Sequence, residues 1–394
     1  MTADAVTHRG IIAMTEEQRA IVEMARAFAA EHITPFAAQW DRDAHFEPSL
    51  VTTMGELGLL GMLLPEEHGG LGLDARSYLL ALEEIAAADA SAAVMMSVHN
   101  SLPTQMINSF GSADQKARFL APMARGELLG AFALSEPDAG SDAAAMRCQA
   151  LRDGDAWVLT GTKAWITSGT HAGVVIVMAR TDAPDDSRGA KGISAFIVTP
   201  DLPGFIVGKK EDKMGLRASP TVQLSFDQMR VPADRLLGDE GMGFIYAMQS
   251  LVHGRLGIAA QAIGIARAAL DAAAAYANAR KQFDTPIAQF QGVQFKLADM
   301  ATRITAARAL LHATAAAKDA GASVDAEASM CKLFASEAAM WVTTQAIQVF
   351  GGYGYVKEYP VEKYFRDAKV TEIYEGTSEV QRIVIGRAVS AGSP

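Results

Sequence analysis

Apolar residues in the first third of the chain recur at helical spacing. In TEEQRAIVEMARAFAAEH, Ile21, Met24, Ala25 and Phe28 fall at i, i+3, i+4 and i+7, behind a Thr15 to Gln18 capping box. The pattern predicts a helical unit over 1–128, interrupted by the Pro- and Gly-bearing LPEEHGGLGLD and resumed in SYLLALEEIAAADASAAVMM. Over 129–236 the period shortens. AFALSEP, WVLTGTKAWIT, GVVIVMAR, GISAFIVT, FIVGKK and TVQLSFDQMRV are short, rich in β-branched and aromatic residues, and separated by turn clusters such as DAPDDSRGAKG. No helical run intervenes, which predicts an antiparallel barrel or sandwich over a doubly wound sheet. Over 237–394 alanine-rich helical runs return, at roughly 242–280, 291–320, 323–350 and 377–390, with short connections that predict an antiparallel four-helix bundle. The expected fold is therefore α+β and multidomain: an all-α N-terminal domain, a central β domain and a C-terminal helical bundle.

Composition narrows the function by exclusion. Half of the 394 residues are hydrophobic, enough for sizeable cores, and 35 Lys and Arg against 45 Asp and Glu leave a net charge of -10. That balance offers no electrostatic footprint for nucleic acid or an anionic membrane. No stretch of about 18 residues is both apolar and free of charge, and the opening MTADAVTHRG lacks the apolar core of a secretory signal. The expected location is intracellular: cytoplasmic in a bacterium, or the mitochondrial matrix in a eukaryote. Cys148 and Cys331 form no CxxC pair, and none of the eight histidines shows HxxxH or HExxH spacing, so neither a disulfide framework nor a metal site is indicated. There is no GxSxG nucleophile elbow.

Several stretches carry candidate chemistry beside plainer readings. GGYGYV at 351–356 follows a helical run and lacks GxGxxG, against a Rossmann loop; it suits either a helix end at Gly351 or a backbone open to a phosphate or sugar. ALSEPDAGSD at 133–142 is a polar loop after a strand, and GTKAWITSG sets Trp165 beside Thr167 and Ser168 at a strand end. Trp165 fits a core position or a stacking partner for a flat heterocycle. Arg280 and Lys281 complement a helix C-terminus or, through the planar fork of Arg280, bind phosphate. Arg255 stands in an otherwise apolar helical run, where a charge needs a partner or an anionic ligand. In EIYEGTSEVQR, Ser378 is placed to cap a final helix through S-x-x-Q, with Glu379 at its positive end. Capping leaves Glu375, between Tyr374 and Gly376, without a structural reason.

FALSEPDAGSD, GTKAWIT, GISAFIV, KKEDKMGLRAS, VPADRLLG, GMGF, RKQF, QAIQVFGGYGY and IYEGTSEVQR, in this order, resemble the acyl-CoA dehydrogenase family of flavoproteins from about residue 14 to 390. Within it the short-chain (butyryl) subgroup is most similar, with the isobutyryl subgroup a close second. The resemblance implies a homotetramer binding FAD between the β and C-terminal domains. It further implies oxidation of an acyl-CoA to the trans-2-enoyl-CoA, with electrons passing to an electron-transferring flavoprotein. Glu375 is then the base for the α-proton, while the β-hydrogen leaves as hydride to flavin N5. Phe132, Leu134 and Ser135, with Trp165, Ile166 and Thr167, are implied to contact the isoalloxazine, and Ser141 to serve the acyl-CoA and pyrophosphate side. Arg280, Phe283, Gln291, Gln348, Gly351 and Gly352 are implied to hold the dinucleotide, mainly the neighbouring subunit's. Thr377 and Glu379 are implied to lie against the adenosine portion, Arg255 near the CoA, and Gly376 at the thioester.

Three positions depart from relatives. Isovaleryl and long-chain relatives carry their base immediately before the LVHGR arginine; here that position is Gly254, leaving Glu375 as the one base. Val252 stands where relatives carry an acidic or amide residue that contacts pantetheine, and WITSG replaces WITN. Two other functions share some of these features. An acyl-CoA oxidase has the same fold but commonly a C-terminal extension absent here, and a silent CoA-binding scaffold would not need an intact base. Met95 and Met96 either line the far end of an acyl pocket or are ordinary core. Acyl-chain length and branching, including a 2-methylbutyryl substrate, stay open.

Overall fold

The computed structural model describes residues 12–182 and 189–392. The opening MTADAVTHRG and the middle of the DAPDDSRGAKG turn lie outside the described residues. Helix α1 (Glu16–His32) starts at the expected capping box: Gln18 N donates to Thr15 Oγ1 at 3.1 Å, and Thr15 N donates to Gln18 Oε1 at 3.2 Å. Ala25 and Phe28 are buried as the pattern predicts, but Ile21 and Met24 only partly, because Val22 and Ala29 turn to the core instead. Short helices α2 (Ala37–Asp43) and α3 (Ser49–Glu56) follow. Helices α4 (Ala75–Ala88) and α5 (Ala90–Ser101) are each capped by an aspartate: Asp74 accepts from Ser77 N at 2.6 Å and Asp89 from Ala92 N at 2.9 Å. Helices α6 (Pro103–Phe110) and α7 (Ala113–Ala124) complete the first helical section.

Strands β1 (Leu129–Ala133), β2 (Gln149–Asp153), β3 (Ala156–Thr167), β4 (Ala172–Arg180), β5 (Ile193–Val198), β6 (Phe205–Lys210), β7 (Thr221–Pro232) and β8 (Leu236–Leu237) form one sheet of order β6-β7-β3-β2-β4-β5-β8, with β1 on β4. Its pairings are antiparallel except β1 with β4 and the single contact of β2 with β4, which are parallel. The β2–β3 hairpin inserted between β1 and β4 lets the chain return in the same direction.

The third section begins with α8 (Gly243–Ala279), 37 residues and roughly 55 Å long. It is the one described helix long and apolar enough to cross a membrane, but 78% of the apolar window lies inside the protein, so it is a core helix. A tight hairpin of β9 (Lys281–Gln282) and β10 (Thr285–Pro286) leads to α9 (Gln291–Asp319) and α10 (Asp325–Phe350). Helix α11 (Val361–Lys369), which the sequence reading did not separate, precedes α12 (Ser378–Ser390).

Buried ions tie the sections together. Glu83 on α4 accepts from Arg267 Nη1 of α8 at 3.1 Å, from Arg308 Nε of α9 at 2.8 Å, and contacts His312 Nε2 at 2.8 Å. Three positively charged or ring donors hold its carboxyl far below the usual range despite burial. Lys363 of α11 bridges Asp89 at 2.8 Å and Asp367 at 2.6 Å, and Asp367 accepts from Leu216 N of the β section at 2.7 Å. Removing one member strands the others in low dielectric. Glu83→Ala is expected to destabilise the protein by about 3–5 kcal/mol in chemical denaturation; a change under about 1 kcal/mol would contradict the clamp.

Candidate active site

A one-turn 3-10 helix at Val370–Glu372 delivers the chain to Tyr374, Glu375 and Gly376 just before α12. Helix α12 is capped one residue earlier than S-x-x-Q suggests: Thr377, extended at φ -60 and ψ 164, accepts from Val380 N, and Ser378 is the first helical residue, its hydroxyl buried without a partner among the described residues. The cap thus fixes the residue directly after Gly376. Glu375 has φ +52 and Gly376 φ +92, two consecutive left-handed residues, which is strained for the glutamate and natural for the glycine. A Cβ at Gly376 would also crowd Gln381 Nε2 at 2.7 Å.

Four hydrogen bonds hold this turn. The Gly376 carbonyl accepts from Lys332 Nζ of α10 at 2.5 Å and from Gln381 Nε2 of α12 at 2.8 Å; Gln381 Nε2 also reaches the Glu375 carbonyl at 3.3 Å. The Tyr374 hydroxyl donates to Gln261 Oε1 of α8. The result turns the Glu375 side chain inward over Gly254 of α8. Any Cβ at position 254 would collide with Glu375 Oε2, so glycine there is the space the carboxylate occupies.

Glu375 is half-buried as a residue, yet both carboxylate oxygens are buried and neither has a hydrogen-bond partner among the described residues. Burial pushes its pKa up to about 7, partly offset by the positive charges of Lys332 and Arg255. A carboxyl that titrates near neutrality with free lone pairs is suited to take a proton from carbon. Arg255 lies inside the helical section, donating to Ser329 Oγ at 3.3 Å with its Nε unpaired among the described residues, and burial lowers its pKa against the charges of Asp325 and Glu375. Val252 is likewise buried.

The predicted flavin residues fall in two places. Ala164 N donates to Ser135 O at 2.9 Å, bringing the loop after β1 to the end of β3. Lys163, fully buried, donates to Leu134 O at 2.9 Å and pairs with Glu136 at 2.7 Å, and Glu136 accepts from Arg147 N and Cys148 N, so this loop is a fixed platform. On it Phe132, Leu134, Ser135 and Thr167 are partly accessible and Ser141 is exposed. Trp165 has φ +64 and is 64% exposed, which removes the core reading. Ile166 is buried in the β core, leaving only its backbone for any contact. Phe132 and Leu134 also pack against the helical core that contains Met95, Met96 and Val252.

At the other place, Arg280, Gly351 and Gly352 line one open cavity of about 540 Å³, with Arg280 stacked over the Tyr353 ring at 5.3 Å. Gly351 terminates α10 at φ +61, the helix end that GGYGYV suggested, and Gly351 and Gly352 are both exposed. Phe283 sits at the tip of the β9–β10 hairpin, 91% exposed, and Gln291 and Gln348 are exposed as well. Thr377 is partly accessible and Glu379 exposed. Lys332, Gln261, Lys163 and Glu136 were not singled out in the sequence, and Gln381 only as the last residue of S-x-x-Q, a capping role. Lys332 carried the same signal as Arg255, a lone cation in an apolar helical run.

Three family models match in chain order. They are described as the N-terminal domain (residues 15–127), middle domain (131–229) and C-terminal domain (241–390) of acyl-CoA dehydrogenase. The Mus musculus mitochondrial short-chain specific acyl-CoA dehydrogenase is 51% identical, over 95% of this chain and 90% of its own. Butyryl-CoA dehydrogenase from Megasphaera elsdenii superposes with a TM-score of 0.94 at 44% identity, covering 96% of this chain and 99% of that one. Glutaryl-CoA dehydrogenase from Mycobacterium smegmatis, solved in complex with FADH2, gives 0.91 at 34% identity, with 97% and 96% covered.

The carboxyl of Glu375 rises from an ordinary value in the unfolded chain to about 7 in the folded one, so its favourable share of stability is complete in acid and lost as pH rises through 7. Glu375→Gln is therefore expected to melt higher than the parent at pH 8 and to lose that advantage at pH 5. Equal differences at both pH values would contradict a neutral-range carboxyl.

Proposed function

The chain belongs to the acyl-CoA dehydrogenase family, and we propose that it oxidises a short-chain acyl-CoA, with butyryl-CoA as the reference substrate, to the trans-2-enoyl-CoA. The observation that carries this reading is the inward Glu375 carboxylate, buried, without a hydrogen-bond partner among the described residues and with a pKa pushed up to about 7, resting on Gly254. An α C–H beside a thioester is a weak acid, so its base must be close, desolvated and matched to neutral pH. Glu375 takes that proton. Its own backbone amide, presented by the left-handed turn, is the proposed donor to the thioester oxygen as negative charge gathers there. Gly376 leaves the thioester side of the turn free of a side chain.

FAD is the cofactor of the enzyme, and the residues present fit it: an exposed tryptophan on a rigid platform for a ring, and an arginine with glycine backbone at an open cavity for a dinucleotide. When bound, FAD accepts the β-hydrogen as hydride. Phe132, Leu134, Ser135, Trp165, Thr167 and the Ile166 backbone are proposed to border the ring, with Ser141 toward the acyl-CoA and pyrophosphate. Arg280, Phe283, Gln291, Gln348, Gly351 and Gly352 are proposed to hold the dinucleotide of a neighbouring subunit, and Thr377 and Glu379 its adenosine part. The outward Phe283, 91% exposed, and Tyr355, 89% exposed, support burial by a second copy, and we read the assembly as a homotetramer. Arg255, being buried, is proposed to act on the CoA side through charge. An electron-transferring flavoprotein is the proposed acceptor.

Butyryl-CoA and isobutyryl-CoA, added anaerobically to the purified yellow enzyme, are expected to bleach the flavin. The rate should rise with pH through about 7 as Glu375 deprotonates. Glu375→Gln should keep FAD and lose turnover by about 10²–10⁴-fold. Absence of bleaching with any acyl-CoA, or a variant with full turnover, would overturn the reading; a panel of thioesters ranked by kcat/KM assigns the chain length.

A further inference from the structure

Lys332 is fully buried in α10, on a helix face it shares with Ala328, Ala335, Ala339 and Val342 and with the small buried hydroxyls of Ser329 and Ser336. An ammonium taken out of water is costly unless something compensates it, and an apolar residue would fill this position at lower cost. Among the described residues its hydrogen-bond partner is the Gly376 carbonyl, on the turn that carries Glu375, and not a carboxylate. We propose that Lys332 is a positioning residue for the reaction: its ammonium fixes the Gly376 carbonyl, which sets the base-bearing turn, and keeps a positive charge near the Glu375 carboxylate. The proposal rests on Glu375 being the base.

The charged and titratable groups around this pair come from every element that packs there. Arg255 faces it from α8, Glu372 from the preceding 3-10 turn, Glu379 from α12, and the hydroxyls of Tyr78 and Tyr374 from α4 and the turn itself. Arg255 is also under the influence of Asp325 and bonded to Ser329, and Glu379 is exposed to solvent. Lys332 differs from both in touching the turn. Burial lowers its pKa to about 8, so the ammonium persists at neutral pH. Gln381 shares the Gly376 carbonyl from the other side but is neutral. The two donors therefore separate two effects: both hold the turn, and only Lys332 adds charge.

Lys332→Met removes donor and charge together. In the FAD-loaded enzyme with butyryl-CoA, its kcat is expected to fall roughly 10-fold or more through misplacement of the base. The acidic limb of the pH profile should move up by about one unit, because the lost cation favoured the ionised carboxylate. FAD content and KM should change little. Gln381→Leu should lower kcat without moving the limb, and Lys332→Arg should restore the limb toward its original position. If Lys332→Met does not fold, Lys332→Gln decides, since it loses the charge while keeping a donor: a raised limb supports the proposal and an unmoved one overturns it. A Lys332→Met enzyme that only melts lower, with kcat and limb unchanged, also overturns it. Full turnover by Glu375→Gln would instead remove the premise, and is distinguishable because it leaves the Lys332 comparison without a base to move.

Discussion

The site depends on withholding water and hydrogen bonds from one carboxylate. Glu375 would be an ordinary acid in solvent; inside the helical section, with neither oxygen hydrogen-bonded among the described residues, its pKa is pushed up to about 7. Creating that environment constrains the sequence on three sides. Position 254 has no side chain because the carboxylate fills its space, position 376 adopts a left-handed backbone, and Thr377 starts the next helix at once. Each is a local requirement with a single mechanical purpose, to point one side chain inward and keep it there.

Holding a strained turn against a helix requires a scaffold that does not yield. The buried network of Glu83 with Arg267, Arg308 and His312 joins α4 to α8 and α9, so the floor under Glu375 is locked to the first helical section. Lys363 with Asp89 and Asp367 does the same for α5 and α11, and the Asp367 contact with Leu216 extends the link to the β section. On the β side, Lys163 and Glu136 fasten the loop that presents Leu134 and Ser135. Breaking any of these buried pairs strands a charge in low dielectric, so each network favours the arrangement of elements that keeps its ions paired.

Much of this was legible in the sequence where the controlling rule is local. The change from helical to strand period and back tracks the observed elements, and the Thr15 capping box marks the true start of α1. Helix α11 was also accessible, since Val361, Tyr364, Phe365 and Ala368 recur at helical spacing, but its many charges masked the pattern. The α12 cap was displaced by one residue because Thr377 and Ser378 both carry hydroxyls, and backbone conformation, not the motif, selects between them. Glu375 stood out as a carboxylate that capping does not explain, and its role as base came from resemblance. Its inward direction was not legible, since it follows from positive φ at a non-glycine residue and from partners 43 and 114 positions away at Lys332 and Gln261, acting through Gly376 and Tyr374. Trp165 is similar: its exposure comes from a left-handed backbone at a strand end that no propensity rule anticipates.

The central claim is that Glu375 moves a proton at the α-carbon, and it can be read without electron transfer. A redox-inert acyl-CoA analogue that retains its α-hydrogens, incubated with the FAD-loaded enzyme in D2O and followed by proton NMR, reports exchange at that carbon alone. The account predicts that the parent enzyme exchanges one α-hydrogen, faster as pH rises through about 7, and that Glu375→Gln leaves the signal undiminished. Exchange by Glu375→Gln at the parent rate would place the base elsewhere and contradict the account.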